Sequence, residues 1–375
     1  MALGFGVLAP TIPQFALEFG VSTFWASSLI SIVAITRILG APFIGWLMSR
    51  VGERHTFTIG MLVSALSTGA CAIAMNFPQL LIYRGITGFG SVATTIATTA
   101  LIIKLSPVEQ RGRVASLNAA GFMSGALVGP LLGAVLVPLG LRAPFVFHFA
   151  MVLVAMVIVW LALRKSTIIS FDRSHGEEQV TLTTRQALRI PQFQALLLTS
   201  FAFNWAIYGV RNALVPIFAI AAISSDPATA AWVLAAFSLG NTLFILPAGR
   251  WNDTIGRKPM LITGLVMATI GYILFPMVTN LWIALAIMVF AGIGAALNNP
   301  GQQATLADII GTKNAGGLIS FFSIIGDLGM AAGPLIAGAL VDVAGFGWAF
   351  GVTAALMGVS AIWWTFVPDS RKLAR

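Results

Sequence analysis

Charge is what this chain has least of. Asp, Glu, Lys and Arg make up 9% of its 375 residues against 58% apolar residues, and the mean hydropathy of +0.93 is far above that of a soluble domain. An ordinary water-soluble globule is excluded. Cysteine is nearly absent: Cys71 stands alone in an apolar run, which excludes a disulfide framework and a cysteine metal site. The three histidines, His55, His148 and His175, lie far apart without ligand spacing, so neither a metal nor another cofactor is implied. The string GFGSVA at 88–93 has an outward likeness to a dinucleotide fingerprint, but it falls inside an apolar run and follows no strand. No clustered Ser, His or carboxylate set is visible, and the connector of about 28 residues is too short for a soluble domain. An enzyme is not expected.

What the chain does have is long continuous apolar runs. A helix needs roughly 20 apolar residues to cross the hydrocarbon, and only helices or closed barrels satisfy their backbone there. Barrel strands would read as short alternating segments, which these are not. Spans are predicted near 2–19, 23–48, 57–76, 79–103, 114–138 and 142–163, then near 192–221, 228–248, 260–279, 281–307, 317–341 and 347–367. The fold class is therefore an all-α membrane protein with twelve transmembrane helices in two six-helix bundles. Residues 1–163 form the first, 164–191 a charged connector, and 192–375 the second with a short tail. The first run contains Pro10 and Pro13 and lacks a basic leader segment, so it reads as a membrane helix rather than a cleaved signal.

Orientation follows from the basic residues. Loops on the connector's side hold Arg50 and Arg54; Lys104, Arg111 and Arg113; Arg164, Lys165, Arg173, Arg185 and Arg189; Arg250, Arg257 and Lys258; Lys313; and Arg371, Lys372 and Arg375. The other side has only Arg142, while Arg37, Arg84 and Arg211 fall within spans. The positive-inside rule then places connector, tail and both termini in the cytoplasm of a cell that carries the chain in its inner membrane. The net charge of +9 is topological. Basic residues scattered over short loops do not make a nucleic-acid surface.

A repeat runs through the chain. Gly45 and Gly249 are separated by the same 204 positions as Gly52 and Gly256, Asn76 and Asn280, Gly88 and Gly292, Gly90 and Gly294, Gly125 and Gly329, Gly129 and Gly333, and Pro130 and Pro334. One register over most of a six-helix unit points to tandem duplication. An even number of spans gives both copies the same orientation, the parallel repeat of transporters whose halves rock about a central site.

With these residues in view, the chain resembles the major facilitator superfamily over essentially its whole length, and within it the twelve-span drug:proton antiporters. The family's turn signature after span two, G-x-L-x-D-R-x-G-R-R, reads GWLMSRVGER here. Gly45, Leu47, Arg50, Gly52 and Arg54 match, with Ser49 in place of Asp and Glu53 in place of a base. The second copy, GRWNDTIGRKPM, keeps Gly249, Asp253, Gly256, Arg257 and Lys258. The resemblance implies a cytoplasmic gate motif that latches the halves; the alternative is a pair of ordinary inside-positive turns. Gly256 permits a tight turn, Arg257 and Lys258 can sit among lipid phosphates, and Asp253 can face the positive end of a neighbouring helix. Asp308, ending span ten, is available to Arg250 or Arg257, whereas its counterpart 204 positions earlier is Lys104.

Span five, GFMSGALVGPLLGAVL, is similar to the antiporter signature through Gly121, Gly125, Gly129, Pro130 and Gly133, with Ala134 in place of the last glycine. That resemblance implies export. Glycines four apart also let a neighbouring backbone approach closely and a proline bends the helix, so a plain packing face is the alternative. Span one, LGFGVLAPTIPQF, matches the family's pattern through Leu3, Gly4, Pro10 and Pro13. RGITGFG in span four resembles R-x-x-Q-G-x-G through Arg84, Gly88 and Gly90, with Thr87 replacing Gln, and implies a part for Arg84 in proton transfer. Arg84 reads as about one turn from the end of its span, so snorkelling to the interface is the rival. Among the carboxylates, Glu18, Asp308 and Asp342 end spans and only Asp327 is well inside one. Asp327 is the candidate proton acceptor, with Arg211 or Arg37 as candidate counter-charges; the alternative is a static ion pair. Gln14, Arg37, Phe201, Phe203, Asn204, Trp205, Tyr208, Arg211, Asn212 and Asn241 are cavity candidates. The expected activity is proton-coupled export of small amphipathic or lipophilic compounds by a monomer. Its partners are a small-molecule substrate, protons and the lipid bilayer, with no nucleic acid. The rivals are a sugar or metabolite carrier and a non-transporting membrane sensor.

Overall fold

The structure is a computed structural model that describes residues 6–105, 121, 125, 128–163, 184–310 and 316–370. Leu3, Gly4, Arg111, Arg113, the bases at 164, 165 and 173, Lys313 and the tail bases lie outside the described residues. Every long element described is helical. We number the helices α1 Gly6–Leu17, α2 Thr23–Val51, α3 Glu53–Ala72, α4 Phe77–Leu105, α5 Val128–Leu139, α6 Ala143–Leu163, α7 Pro191–Ile223, α8 Pro227–Thr254, α9 Arg257–Met277, α10 Leu281–Ile310, α11 Gly316–Ala344 and α12 Phe346–Phe366. Nine are long and apolar enough to cross a bilayer, and α1, α3 and α5 supply the remaining three expected positions. This is the all-α, twelve-span architecture read from the sequence.

The helix ends correct the expected boundaries. Residues 49–50 and 249–254, expected in loops, are helical and close α2 and α8. The turns between helices shrink to almost nothing because one glycine does the work in each. Gly52 has φ 82 and ψ 164, and Gly256 has φ 139 and ψ 158. Backbone of that kind is open to glycine and strained for any residue with a Cβ. Gly45 and Gly249 are not turn residues at all.

The chain divides into two compact units. One holds residues 1–21 and 28–176, the other residues 22–27 and 177–375. Within each, glycine lets backbones meet, and the same contacts recur 204 residues apart. In the first unit a methyl on Gly60 would stand 2.8 Å from the Thr94 nitrogen, and one on Gly90 would stand 2.7 Å from the Gly60 carbonyl. In the second, Gly264 and Gly294 bear the same relation, at 2.5 Å from the Gly294 carbonyl and 2.7 Å from the Gly264 carbonyl. Gly88 abuts the Val33 carbonyl as Gly292 abuts the Phe237 carbonyl. Matching backbone contacts in the two copies are what a duplicated bundle preserves.

Polar staples and aromatic packing hold the second unit. Trp364 is fully buried and its Nε1 donates to Thr199 Oγ1 at 2.7 Å, which in turn pairs with Ser360 Oγ at 2.9 Å. Trp205 Nε1 donates to Thr353 Oγ1 at 3.1 Å. At the opposite end of α12, Phe218, Phe275, Phe346 and Phe350 cluster in tilted, edge-to-face and stacked pairs, with ring centroids 5.1–6.4 Å apart. In the first unit, Arg142 donates to the Ala72 and Ala74 carbonyls at 3.2 Å each and lies 5.4 Å over the Phe15 ring. This basic residue, which stood apart from the charge asymmetry, closes the C-terminal end of α3.

Candidate functional site

The second-copy turn gathers a charged cluster. Arg257 opens α9, one residue after the glycine turn, and pairs with Asp253 one helical turn back along α8. Its Nη1 donates to the Asn252 carbonyl at 2.7 Å. Its Nε lies 3.4 Å from Asp308 Oδ2, an ion pair by distance that falls short of hydrogen-bond geometry. Of the two bases expected to reach Asp308, the structure selects Arg257. Asp308 also accepts from Ser370 Oγ at 2.7 Å, and neighbouring Lys258 reaches the Thr365 carbonyl at 2.8 Å and offers its backbone N–H to Asp369 at 3.3 Å. The residues after α12 are thereby tied to the turn. Sequence reasoning missed Ser370 and Asp369 because a short polar tail carries no periodic signal.

The first-copy turn is built differently. Arg50 lies 5.2 Å over the Trp46 ring, Ser49 Oγ donates to the Trp46 carbonyl at 2.7 Å, and Thr56 Oγ1 donates to the Gly52 carbonyl at 2.9 Å. With Ser49 where the second copy has Asp253, this turn has no equivalent of the Asp253–Arg257 pair. Arg54 sits in the first turn of α3.

The fifth-span signature is a packing seam against α1. A methyl on Gly6 would stand 2.9 Å from both Gly129 Cα and Pro130 Cδ and 3.4 Å from the Gly125 carbonyl, and one on Gly133 would stand 2.9 Å from the Val7 carbonyl. Gly121 lies outside the seam: among the described residues, nothing stands within 4 Å of where its Cβ would be. The second unit repeats the seam between α11 and α7, where Gly329 abuts the Phe201 carbonyl, Gly333 the Trp205 carbonyl at 2.8 Å, and Gly209 meets Pro334 Cδ at 3.0 Å.

Arg84 is buried at 3% exposure, with Nε 3.5 Å from the Leu29 carbonyl. Its helix starts at Phe77, so Arg84 lies about two turns in, deeper than the sequence suggested, and it does not snorkel. Below it Thr87 Oγ1 pairs with Ser67 Oγ at 2.9 Å. On α2, Arg37 Nη1 donates to Ser91 Oγ at 2.9 Å. His148 is buried in α6 and, among the described residues, its Nδ1 has no hydrogen-bond partner.

Helix α7 carries the densest group of expected residues. Its middle, Asn204–Val210, is wound as a π-helix, and Arg211 follows at once. Single π-turns inside α-helices recur at functional sites. Arg211 Nε and Nη2 both donate to Asn212 Oδ1, at 3.3 and 3.1 Å, and the guanidinium lies 4.2 Å over the Phe237 ring. Fully buried Asn212 donates in turn to the Tyr208 carbonyl at 3.0 Å. Tyr208 stacks edge-on to Phe203 at 6.2 Å. Arg211 is therefore oriented by Asn212 and Phe237 and is not a counter-charge held by Asp327. Phe237 and Tyr272, absent from the sequence list, belong to this group; each hides in an apolar run, where an aromatic gives no separate signal. Beside them a small void lined by Val215, Phe237, Tyr272, Phe275, Met288 and Ala291 has room for no more than about one water molecule. It is not a substrate chamber.

The remaining candidates are dispersed. Asn204 Nδ2 donates to the Ser200 carbonyl at 2.8 Å and touches Gly326, so Asn204 and Phe201 belong to the α7–α11 seam. Asp327 follows Gly326 on α11, half-buried at the edge of that seam. Gln14 is buried and donates within its own helix to the Pro10 carbonyl at 2.7 Å. Asn241 sits against Gly292 at the α8–α10 contact.

The sequence profile described as Major Facilitator Superfamily matches residues 1–221 and again 205–375. The chain belongs to the major facilitator superfamily. Family membership makes it a multi-pass membrane transporter of small molecules, not an enzyme. The chain is 26% identical to the multidrug resistance protein MdtG of Proteus mirabilis strain HI4320 over 98% of its own length and 94% of that protein's. It is 24% identical to the quinolone resistance protein NorA of Staphylococcus aureus strain MRSA252, covering 91% of this chain and 87% of the relative. Among solved structures, a D-xylose–proton symporter superposes with a TM-score of 0.78 at 16% identity, over 99% of this chain and 96% of that one. A bacterial homologue of the human lysosomal transporter Spinster gives 0.74 at 16% identity, over 97% and 95%. At such identity these structures speak for the major facilitator fold alone.

Proposed function

We propose that this major facilitator protein exports small amphipathic or lipophilic compounds in exchange for protons, by alternating access from the cell membrane with both termini in the cytoplasm. The observation that carries the reading is the fifth-span seam: four of the five matching residues of the antiporter signature, Gly125, Gly129, Pro130 and Gly133, seat α5 on α1, in a chain whose relatives over nearly its full length include proteins named for quinolone and multidrug resistance. Glycine contacts of this closeness let two helices move as one element without a gap forming between them. Asp327 is the proton carrier in this reading, Arg84 a second coupling group, and the Asp253–Arg257–Asp308 cluster the gate. A charge moved across the membrane gains about 2.3 kcal/mol per 100 mV, which supplies the driving force.

A carrier of sugars or other metabolites is the second reading, since the same fold also serves a D-xylose–proton symporter and does not by itself choose a substrate. A panel of susceptibility and accumulation measurements in a host stripped of exporters, with and without an uncoupler, separates the two. Export predicts raised resistance to several lipophilic compounds that the uncoupler abolishes. Resistance that survives the uncoupler would refute proton coupling, and unchanged susceptibility together with sugar uptake would replace the export reading.

A further inference from the structure

We infer that Arg211 receives the anionic end of the transported molecule, so that organic monoanions, carboxylates first among them, are preferred over neutral compounds of the same shape. The inference rests on the export reading and narrows its substrate class.

An arginine keeps its proton throughout the physiological range. Within a membrane span it must therefore be held by water, by a counter-ion or by a ring, or it is too costly to retain. Arg211 has the ring, Phe237 at 4.2 Å, and an orienting acceptor, Asn212 Oδ1, which takes the Nε and Nη2 donors. Both are neutral. Among the described residues no carboxylate lies within ion-pair distance of Arg211 and no acceptor takes Nη1. A guanidinium kept only to lock helices together would be matched by a carboxylate, since an uncompensated buried charge is strongly destabilising. Arg211 as a residue is half-buried, in contrast to the fully buried Asn212 beside it.

The surroundings fix this cation in place. Asn212 is fully buried and held by its bond to the Tyr208 carbonyl. The π-wound turn sends the Arg211 backbone N–H to the Ala206 carbonyl, and Tyr272 Oη from α9 donates to the same carbonyl at 2.7 Å. The unusual winding is thereby pinned to a second helix and sets the direction from which the side chain leaves. A planar guanidinium with one edge oriented by a neutral amide and its remaining donors uncommitted is suited to a carboxylate, which can accept two parallel N–H bonds.

Matched aromatic pairs test this: 2-naphthoate against 2-naphthamide, and the acid and amide forms of two larger planar ring systems. Accumulation would be measured in the exporter-stripped host carrying the wild-type chain, Arg211→Gln, Arg211→Lys or empty vector, with the membrane level of each variant measured alongside. The wild type is expected to lower acid accumulation at least about tenfold more effectively than amide accumulation, the factor a charge-assisted hydrogen bond supplies. Arg211→Gln should erase that preference while still exporting the amides, and Arg211→Lys should keep part of it. If the wild type exports acids and amides equally, or if Arg211→Gln exports with the wild-type preference, the inference is overturned and the export reading stands. Should the wild type change the accumulation of no compound in the pairs or the wider panel, the export reading itself fails and takes the inference with it. The wild-type comparison decides the matter even if Arg211→Gln fails to reach the membrane.

Discussion

Arg257 Nε stands 3.4 Å from Asp308 Oδ2, joining the first residue of α9 to the last turn of α10, while Arg257 Nη1 engages Asp253 at the end of α8. One cation thus fastens three helix ends. The side chains of Arg257 and Asp308 are 14% and 11% exposed, so their attraction is less screened than that of a surface pair, whereas Asp253 is 71% exposed. Asp308→Asn should therefore matter more than Asp253→Asn. A double-mutant cycle of Arg257→Gln with Asp308→Asn in thermal unfolding should return a coupling of about 1 kcal/mol, and the Asp253 cycle less. Equal couplings would mean that burial does not rank the two contacts.

The glycines of the fifth-span signature differ in what surrounds them, and substitution should separate them. A methyl on Gly133 meets the Val7 carbonyl at 2.9 Å, a rigid backbone atom, whereas one on Gly121 meets nothing among the described residues. Gly133→Ala should lower stability by about 1–3 kcal/mol and reduce export, while Gly121→Ala should be silent in both. Drug resistance and melting temperature in detergent check the pair, and a silent Gly133→Ala would remove the close seam from the account.

Thr199 accepts from the Trp364 indole and also pairs with Ser360. Thr199→Val keeps the shape and strips the acceptor, leaving a buried N–H without its partner. A loss of about 1–3 kcal/mol is expected, with α7 and α12 loosened together. Ser360→Ala, which leaves the indole bond in place, should cost less; thermal unfolding of the two variants gives the order.

Asp327 is assigned proton coupling because it is the carboxyl placed well inside a span, at the edge of the α7–α11 seam. Asp327→Asn keeps the volume and removes the titration. Proton-driven efflux in everted vesicles should fall by at least about tenfold, while binding of substrate in detergent persists. Efflux at the wild-type rate would reassign the proton to another group.

The membrane class, the twelve spans and the duplicated bundle were legible because they depend on composition and on spacing along the chain. Hydrocarbon thickness dictates run length, and a turn that needs positive φ dictates glycine, so Gly52 and Gly256 announced the hairpins that the structure draws tighter still. The availability of Asp308 was legible too, since charges at the same ends of neighbouring spans are rare. Its choice of Arg257 over Arg250 was not, because that depends on which way one side chain leaves a helix end. The depth of Arg84 was underestimated because α4 starts at Phe77, two residues earlier than its apolar run suggested, where Asn76 Oδ1 accepts from the Gln79 N–H and caps the helix.

The sequence by itself determined that this chain lives in a membrane as a set of long helices with a repeat along the chain, since solvation by lipid leaves few alternatives for so apolar a polymer. Only the tertiary structure decided what its few polar groups touch. The π-turn ahead of Arg211, the ring of Phe237 beneath its guanidinium and the Tyr272 hydroxyl on the Ala206 carbonyl all arise where separate helices meet. Such contacts obey no period along the chain, so no reading along the chain could have placed them.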